Sequence, residues 1–414
     1  MILVGDNRVT LPTIERGSVQ MVAMSPPYFG LRLYGEDGAE IGKEVTLALY
    51  LDSLRDVMRL CWDALRDDGT AWVNLGDSYG PDGKALLVPL EAARWLQADG
   101  WTLRAMLPWP KLNGMPESVQ SRPSISHEYV LFLTKRPSGY FYDADAVRVG
   151  WADARCGDPG RAKTRITDKS AAGSRRYDHS TTPQTSGRSL RSSDFWRAGA
   201  RSAAEQLQQA ADGQAIGIVT NDDAPAALIV NPKGSGIEHF AMWPTRLVAP
   251  MIMAGTPEAG SCSVCGAPWE RVTKSETEAP SYRKGNAPIR AMAFADAGQG
   301  HANLERSNLG MVRAVQTLGF RPSCAHADAP ARPAIVLDPF VGAGTTIGVA
   351  EALGRQAIGC ELYQKNAALL PRRTEIVRAE VAEYLRERAQ GDKAAAIESA
   401  SKGQYDLFAP KGAA

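Results

Sequence analysis

Short apolar segments alternate with amphipathic stretches along the first 147 residues, and this alternation restricts the possible folds more than any other feature of the sequence. Val19–Met24 has the composition of a buried strand. The apolar positions of Leu51–Leu65 recur every three or four residues, as on one face of a helix that we predict to end near Gly69. Strands that alternate with helices of this length predict an α/β fold, in which helices cover the faces of a sheet.

Length and composition narrow the class of protein. A chain of 414 residues is too long for one compact core, so we expect two or three lobes. Because 47 Lys and Arg residues nearly balance 46 Asp and Glu residues, a surface that binds nucleic acid must be a local concentration of charge. No apolar run approaches the ~20 residues of a membrane helix. Six unevenly spaced cysteines do not resemble a disulfide scaffold, which favours a reducing, cytoplasmic setting without a membrane partner.

The predicted strand Val19–Met24 ends abruptly at Ser25-Pro26-Pro27-Tyr28. Proline fixes φ and has no N–H donor, so this loop presents a serine hydroxyl, carbonyl oxygens and an aromatic ring at the end of a strand. Taken alone, the tetrapeptide is compatible with a rigid turn that packs a tyrosine.

A second strand end lies far along the chain, where a strand ending at Asp338 is followed by a loop with Gly342 and Gly344 and then by a helix from Thr345. Glycines at a strand-to-helix turn let the backbone approach a ligand closely, as at nucleotide sites of open α/β sheets. Glu361 ends the next predicted strand, where a carboxylate can accept hydrogen bonds from ribose hydroxyls. Each piece alone fits a tight connection and a surface glutamate, but together they predict an adenosine-containing ligand.

Ser25-Pro-Pro-Tyr28, followed much later by Asp338-Pro-Phe-Val-Gly-Ala-Gly-Thr-Thr346, resembles the amino-methyltransferases of DNA, which methylate exocyclic nitrogens with S-adenosylmethionine. His239-Phe-Ala-Met-Trp-Pro244 resembles the approach of that family to its cofactor loop, and the resemblance covers residues 1–147, 236–258 and 332–390. It implies a Rossmann-like, S-adenosylmethionine-dependent methyltransferase sheet. The motif order is permuted, with the catalytic motif first, a target-recognition insertion in the middle and the cofactor motif last.

The resemblance also implies two sets of site residues. The target base would be held by Ser25, Pro26, Pro27 and Tyr28. The cofactor would be held by Asp6, Phe240, Pro244, Asp338, Phe340, Gly342, Gly344, Thr345 and Glu361. Within the second set, Asp6 is expected near the adenine of the cofactor and Glu361 at its ribose.

The expected reaction is methyl transfer from S-adenosylmethionine to the exocyclic N4 of a flipped-out cytosine at a specific site in double-stranded DNA. In this family a serine at the first catalytic position accompanies cytosine N4 more often, and an aspartate or asparagine accompanies adenine N6. An adenine-N6 enzyme is therefore the alternative. An RNA amino-methyltransferase and a catalytically inactive, zinc-dependent DNA-binding protein are further alternatives. The sequence has no Pro-Cys dipeptide, which argues against a carbon-5 cytosine enzyme that attacks through cysteine.

Five regions are expected. They are a catalytic half of the core (1–147), a basic and partly disordered target-recognition region (148–235), a cofactor-binding half (236–258 and 331–390), a Cys/His insert (259–330) and a flexible tail (391–414). Arg148 to Glu205 contains 12 Lys and Arg residues against 6 Asp and Glu residues. Arginine-rich segments suit phosphate contacts, although a merely solvated insertion would have the same composition.

The insert contains a pattern typical of metal sites. Cys262-Ser-Val-Cys265 and Cys324-Ala-His326 together offer four soft or borderline ligands, as in closed structural zinc sites. The alternative is free thiols in a reducing cell. The expected partners are double-stranded DNA and a cognate restriction nuclease, in the cytoplasm of a bacterium or a phage-infected host cell.

Overall fold

A computed structural model describes most of the predicted core, and all structural statements below concern the residues that it describes: 1–30, 40–111, 121–122, 127–147, 216–219, 225–229, 243–278 and 312–404. The strands are β1 (Ile2–Val4), β2 (Val19–Met24), β3 (Leu65–Leu75), β4 (Thr102–Pro110), β5 (His127–Thr134), β6 (Ile216–Val219), β7 (Pro225–Ile229), β8 (Ser261–Cys262), β9 (Trp269–Glu278), β10 (Val312–Pro322), β11 (Ala331–Arg332), β12 (Ile335–Asp338) and β13 (Gln356–Glu361). The helices are α1 (Asn7–Thr10), α2 (Leu47–Ala64), α3 (Val88–Ala98), α4 (Thr245–Gly255), α5 (Thr345–Ala352), α6 (Gln364–Ala367) and α7 (Leu370–Gln404).

A seven-stranded sheet in the order β1-β13-β12-β2-β3-β5-β4 forms the centre of the fold. The first five of these strands are parallel, and β5 runs antiparallel to both β3 and β4. β12 and β2 are direct neighbours, with Val336 opposite Met21 and Leu337 opposite Val22. From this pair the chain continues outward in opposite directions, to β13 on one side and to β3 on the other. A crevice therefore opens at the carboxyl ends of β12 and β2, the usual ligand position in such sheets.

Both faces of the sheet are covered by helices. Along β2 every residue is buried, and alternate side chains enter two different cores because successive strand residues point to opposite faces. Met21 packs in a core with residues of α4, α5 and α7. Val22 packs in a core with residues of α2 and α3. Each such fully buried aliphatic side chain contributes about 1.5–3 kcal/mol. The predicted Rossmann-like α/β sheet with permuted motif order is confirmed.

One predicted helix boundary was wrong. α2 ends at Ala64 rather than near Gly69, and Leu65, which continues the helical spacing, is instead the first residue of β3. The same core buries both elements, so periodicity does not separate the last helical residue from the first strand residue. Pro371 lies in the first turn of the last helix, where a missing N–H group is tolerated. That helix extends to Gln404.

The Cys/His insert forms small antiparallel sheets beside the core. β8 pairs with β11, and β9 pairs with β10 in a long hairpin. Arg271 attaches this hairpin to the core, since its guanidinium donates to Asp143 Oδ2 at 3.0 Å and to Glu258 Oε2 at 2.6 Å. Of the predicted region 148–235, the structure describes only β6 and β7. The predicted site residue Phe240 lies outside the described residues. Within the described part of the chain, no helix combines the length and apolar character needed to cross a membrane.

Candidate active site

The two sequence motifs meet at one edge of the sheet. Ser25 follows the last residue of β2, and Asp338 is the last residue of the neighbouring strand β12. Asn7, at the start of α1, is buried and donates from Nδ2 to the carbonyl oxygen of Pro339 at 3.0 Å. This contact ties the loop after β1 to the loop after β12, so both loops border the same crevice.

The loop after β12 has the geometry of a close backbone approach. The N–H of Phe340 donates to Asp338 Oδ1 at 3.0 Å, and the N–H of Val341 donates to the carbonyl of Cys360 at 3.0 Å. Gly342 and Gly344 have φ values of 50° and 87°, in the left-handed region. Thr345 follows as the first residue of α5, so the loop leads directly into a helix N-terminus.

Two buried carboxylates border this loop. Asp338 ends β12 and Glu361 ends β13, with exposed fractions of 2% and 7%. Burial raises the pKa of Asp338 to about 7, and burial also raises the pKa of Glu361. Within the described ranges, neither has an ion pair with a lysine or arginine. Glu361 Oε1 accepts from the N–H of Tyr363 at 3.0 Å and from Asn366 Nδ2 at 2.8 Å. A buried carboxylate that is not paired with a cation is stabilised by hydrogen-bond donors, and the hydroxyl groups of a polyhydroxylated ligand can supply such donors.

Asp6 lies beside these groups but is already engaged. The N–H of Gly5 donates to the carbonyl oxygen of Glu361 at 2.9 Å, which places the loop after β1 next to the end of β13. The Asp6 carboxylate caps α1 and pairs with Arg8, with 2.7 Å between Oδ2 and Nη2. The hydrogen bond from the Arg8 side chain lowers the pKa of Asp6. Asp6 is therefore ionised at neutral pH and shares its carboxylate with Arg8.

The loop after β2 is held by a network of hydrogen bonds. The Tyr28 hydroxyl donates to Glu128 Oε2 at 2.7 Å. Asn74 Nδ2 lies 2.7 Å from the Tyr28 hydroxyl oxygen, 2.8 Å from Glu128 Oε2 and 3.4 Å from Ser25 Oγ. Lys111 Nζ pairs with the other oxygen of Glu128. These side chains come from four separate segments of the sheet edge, so the loop is fixed from several directions.

The proline carbonyls were expected to stay free, and the structure corrects this for one of them. The carbonyl oxygen of Pro27 accepts a hydrogen bond from the Tyr50 hydroxyl at 3.0 Å. Among the described residues no donor contacts the carbonyl oxygen of Pro26. Pro26 and Ser25 Oγ are thus the acceptors that the loop offers to a ligand.

Tyr28 presents a ring and keeps its proton. The side chain is partly buried, and the ring lies against Gly76, where an added Cβ would come within 2.8 Å of Cε2. Burial of the hydroxyl, with the nearby Glu128 carboxylate, raises the pKa of Tyr28 well above its ordinary value. The phenol is therefore protonated over the whole physiological range and acts as a donor to Glu128.

Several contributors to the site were missed at the level of sequence: Asn7, Tyr50, Asn74, Lys111 and Glu128. Asn74 and Glu128 carried a usable signal, because Asn74 lies in the mainly apolar second half of β3 and Glu128 lies just before the mainly apolar segment of β5, and a buried polar residue needs a partner. Pro244, by contrast, was predicted and lies directly before α4, where its carbonyl accepts from the N–H groups of Leu247 and Val248 at 3.0 and 3.2 Å.

The predicted metal ligands also come together. The ligand atoms of Cys262, Cys265, Cys324 and His326 all lie within 4.8 Å of one another. Pairing of β8 with β11 and a tight turn, in which the N–H of Gly266 donates to the carbonyl of Cys262 at 2.8 Å, hold the first pair. Hydrogen bonds from backbone N–H groups, first that of Cys265, lower the pKa of the Cys262 thiol to about 6.

Comparisons with known proteins agree with this geometry. The family model described as DNA methylase, which groups N6- and N4-type enzymes, matches residues 19–262 and 332–370. The type II methyltransferase M.Cfr9I of Citrobacter freundii is 38% identical over 172 residues, 35% of this chain and 57% of that protein. The type II methyltransferase M.SmaI of Serratia marcescens is 35% identical over 182 residues, 37% of this chain and 62% of that protein. The chain thus spans less than two thirds of the length of these relatives.

Solved structures are more distantly similar. PvuII DNA methyltransferase, described as cytosine-N4-specific, is 14% identical with a TM-score of 0.44, covering 94% of this chain and 92% of that one. A putative DNA modification methylase from Thermus thermophilus, in complex with S-adenosyl-L-methionine, is 17% identical with a TM-score of 0.40, covering 91% of this chain and 95% of that one. The family match extends over more than half of the chain and includes both strand ends of the site. The chain belongs to the N6/N4 DNA methylase family.

Proposed function

We propose that this chain transfers the methyl group of S-adenosylmethionine to the exocyclic N4 of a cytosine that has been flipped out of double-stranded DNA at a specific site. One observation carries the proposal: the ends of β2 and β12 are neighbours, so the acceptors and ring of Ser25–Tyr28 face the same crevice as the glycine loop. Methyl transfer requires the donor and the attacking nitrogen in line, and such positioning supplies much of the rate.

The residues at the crevice fit the cofactor. Glu361 would accept from the ribose hydroxyls, as the buried carboxylate at a strand end does in related sheets. Asp6 is assigned to the adenine side, next to Glu361. The loop from Asp338 through Phe340, Gly342, Gly344 and Thr345 would line the rest, together with Pro244 and Phe240. When bound, S-adenosylmethionine supplies an electrophilic methyl group on a sulfonium centre.

At the target base the protein must improve a poor nucleophile, because the lone pair of an exocyclic amine is delocalised into the ring. Ser25 Oγ and the Pro26 carbonyl can accept hydrogen bonds from the amine N–H groups, which favours a tetrahedral nitrogen whose lone pair points at the methyl group. These acceptors also stabilise the positive charge that develops on nitrogen. The N–C bond would form as the S–C bond breaks, S-adenosylhomocysteine would leave, and the methylated nitrogen would release one proton to solvent. Tyr28 would stack on the extrahelical base, since the amine is unreachable inside a paired duplex.

The choice of cytosine rests on Ser25. Its hydroxyl is a neutral acceptor, whereas the alternative, adenine N6, is associated in this family with aspartate or asparagine at the same position. The test is mass spectrometry of nucleosides from DNA incubated with protein and isotope-labelled cofactor. N4-methylcytosine is expected, and N6-methyladenine would establish the alternative. A preference for RNA in a competition assay with duplex DNA, or no transfer to DNA of mixed sequence, would overturn the proposal.

A variant of Tyr28 tests the base-binding half of the site separately from the cofactor-binding half. Tyr28→Ala should lose far more turnover than cofactor affinity, because Tyr28 touches the base and not the cofactor. Equal losses in both would contradict its stacking role. Long-read mapping of modified bases in cells that express the chain then gives the recognition sequence.

We also propose that Cys262, Cys265, Cys324 and His326 hold a structural Zn²⁺ ion. Tetrahedral Zn²⁺ with bonds of about 2.3 Å to sulfur places its ligand atoms roughly 3.8 Å apart, and the ligand atoms of this cluster all lie within 4.8 Å of one another. All four positions are filled by protein, which suits a closed structural site. The ion would fasten β10, which precedes Cys324, to the β8 turn and so close the detour between α4 and β12.

Metal analysis of the purified chain tests the zinc site. One Zn per chain is expected, and a combined Cys265→Ser and Cys324→Ser variant should lose it, with a lower thermal unfolding temperature. Cys156→Ser is the matched control, because it removes a thiol that the cluster does not contain. Well below one Zn per wild-type chain would exclude the site.

The remaining assignments follow from the proposed reaction. Double-stranded DNA is the substrate, the basic region 148–235 carries target recognition, and the predicted boundaries of the five regions are kept. A DNA substrate places the enzyme in the cytoplasm, and the bacterial origin of M.Cfr9I agrees with this. A cognate restriction nuclease stays a prediction, which a pull-down from the native host would test.

A further inference from the structure

We infer that Glu128 is a positioning residue of the target-base site, which acts through the hydroxyl of Tyr28. This inference rests on the proposed methyl transfer, because it assigns to Tyr28 the stacking role described above. Glu128 does not belong to the Ser25–Tyr28 motif and lies on β5, separated from β2 by β3. Its link to the motif is therefore visible in the fold alone.

The contacts of Glu128 are those of a support rather than of a ligand-binding carboxylate. Its exposed fraction is 9%, and both oxygens are occupied by protein donors. Oε2 accepts from the Tyr28 hydroxyl at 2.7 Å and from Asn74 Nδ2 at 2.8 Å, and Oε1 pairs with Lys111. A buried carboxylate with this many partners holds each of them in place, since losing any contact leaves a charge unsatisfied.

This arrangement fixes the orientation of the Tyr28 ring. The hydroxyl end is fixed by Glu128, and the ring lies against Gly76, so rotation about its two side-chain torsions is restricted. Asn74 extends the network to Ser25 Oγ, which couples the position of the ring to that of the serine acceptor. A site held this way is ordered before the base docks, so little conformational entropy is lost on docking.

The hydrogen bond from the Tyr28 hydroxyl to Glu128 also affects the electron density of the Tyr28 ring. A phenol that donates to a carboxylate has a more electron-rich ring than one that donates to water. The stacked base gains positive charge as its nitrogen takes up the methyl group, and an electron-rich aromatic face attracts such a cation. Glu128 thus favours the transition state more than the docked ground state, which predicts an effect on kcat rather than on KM.

A double-mutant cycle on kcat tests this role. Glu128→Gln and Tyr28→Phe should each lower kcat about tenfold, which is ~1.4 kcal/mol in the barrier. If Glu128 acts through the hydroxyl, the double variant should lose far less than the hundredfold product of the single losses. KM for DNA should change less than kcat, and the dissociation constant of the cofactor should stay within about twofold of wild type.

Controls make each outcome decisive. Glu351→Gln removes a carboxylate that pairs with Arg378 on the protein surface, and it should behave as wild type. If Glu128→Gln fails to fold because Lys111 loses its partner, Glu128→Gln combined with Lys111→Met restores the charge balance and repeats the cycle. Unchanged kcat, multiplicative losses or an equal loss of cofactor affinity would overturn the inference. Absence of methyl transfer by wild type would instead defeat the proposed function.

Discussion

At Gly344 two independent constraints exclude a side chain. The backbone has a φ of 87°, and a Cβ would come within 2.1 Å of Leu370 Cδ2. Leu370 begins α7, so the glycine lets the last helix pack directly onto the loop that we assign to the cofactor. Gly344 therefore affects both the packing of α7 and the shape of the crevice.

Substitution at Gly344 should therefore cost more than backbone strain alone. Gly354 is the matched control, since its φ is 77° and no atom lies within 4 Å of an added Cβ. We expect Gly354→Ala to lose ~1 kcal/mol of unfolding free energy from its left-handed backbone. Gly344→Ala should lose a further ~1–3 kcal/mol from overpacking. Urea unfolding of both variants measures this, and equal losses would show that Leu370 moves aside freely.

Asp338 makes stability depend on pH in a definite direction. Burial raises its pKa to about 7 in the folded protein, so the folded state binds the proton more tightly than the unfolded chain does. Its contribution to stability is therefore fully present below the unfolded pKa of about 4 and is lost as the pH rises through about 7.

Without cofactor, the unfolding free energy of wild type should fall between pH 5 and pH 8 by about 1–3 kcal/mol more than that of Asp338→Asn. The amide cannot ionise, so subtracting the two pH profiles isolates this carboxyl from all others. Urea unfolding at the two pH values is the measurement. Parallel profiles for the two proteins would mean that Asp338 titrates normally.

At the scale of elements, a nearly buried arginine connects two of the helices, α4 and α7, that cover one face of the sheet. Arg246 on α4 donates to Glu387 on α7 through two nitrogens, at 2.6 and 2.8 Å. The arginine side chain is 10% exposed and the glutamate 40%. Since α7 also packs on α5, this pair helps to hold the three helices that close the Met21 side of the core.

A double-mutant cycle on unfolding free energy should give a coupling of about 1–2 kcal/mol for Arg246 and Glu387, reduced from a fully buried pair because the glutamate meets solvent. Arg378 and Glu351 are the comparison, because this pair also joins α7 to another helix but is more exposed. Its coupling should lie below about 0.5 kcal/mol. Equal couplings would mean that burial of Arg246 adds nothing.

The sequence was sufficient for elements whose signal is local. The strand ends at Met24, Asp338 and Glu361, and the glycine loop between β12 and α5, were predicted within a residue of their observed bounds. The Tyr28–Asn74–Glu128 network was not predicted, because its members come from the loop after β2, from β3 and from β5, which sheet order brings together. Likewise, the end of α2 was misplaced because Leu65 faces the same core as the helix before it.

At the scale of the whole molecule, the described part of the insert is attached to the core at the base of the β9–β10 hairpin. β9 and β10 begin and end side by side, with Val312 opposite Glu278, and Arg271 anchors the hairpin at its base. Residues 279–311 can therefore be replaced without lengthening any connection within the core. A two-residue Asn-Gly turn suits the closure of such a hairpin.

We expect a chain with Asn-Gly in place of residues 279–311 to keep its fold, its cofactor affinity and its metal. A thermal unfolding temperature within about 2 °C of wild type corresponds to less than about 2 kcal/mol for a protein of this size. Calorimetry, cofactor titration and metal analysis measure the three properties. Loss of cofactor binding would show that this segment reaches the crevice, whereas loss of DNA methylation alone would assign it to DNA binding.

The pairing of β1 with β13 and of β2 with β12 has a consequence for biosynthesis. Ile2 lies opposite Gly359, and Met21 lies opposite Val336, so β1 and one edge of β2 obtain their partners only after a long stretch of chain has been made. Such non-local contacts form late because the intervening chain must first be closed into a loop. A nascent chain on the ribosome carries Ser25–Tyr28 from the outset but has no crevice until residues beyond 361 have emerged. Incomplete products of translation would therefore lack the assembled crevice.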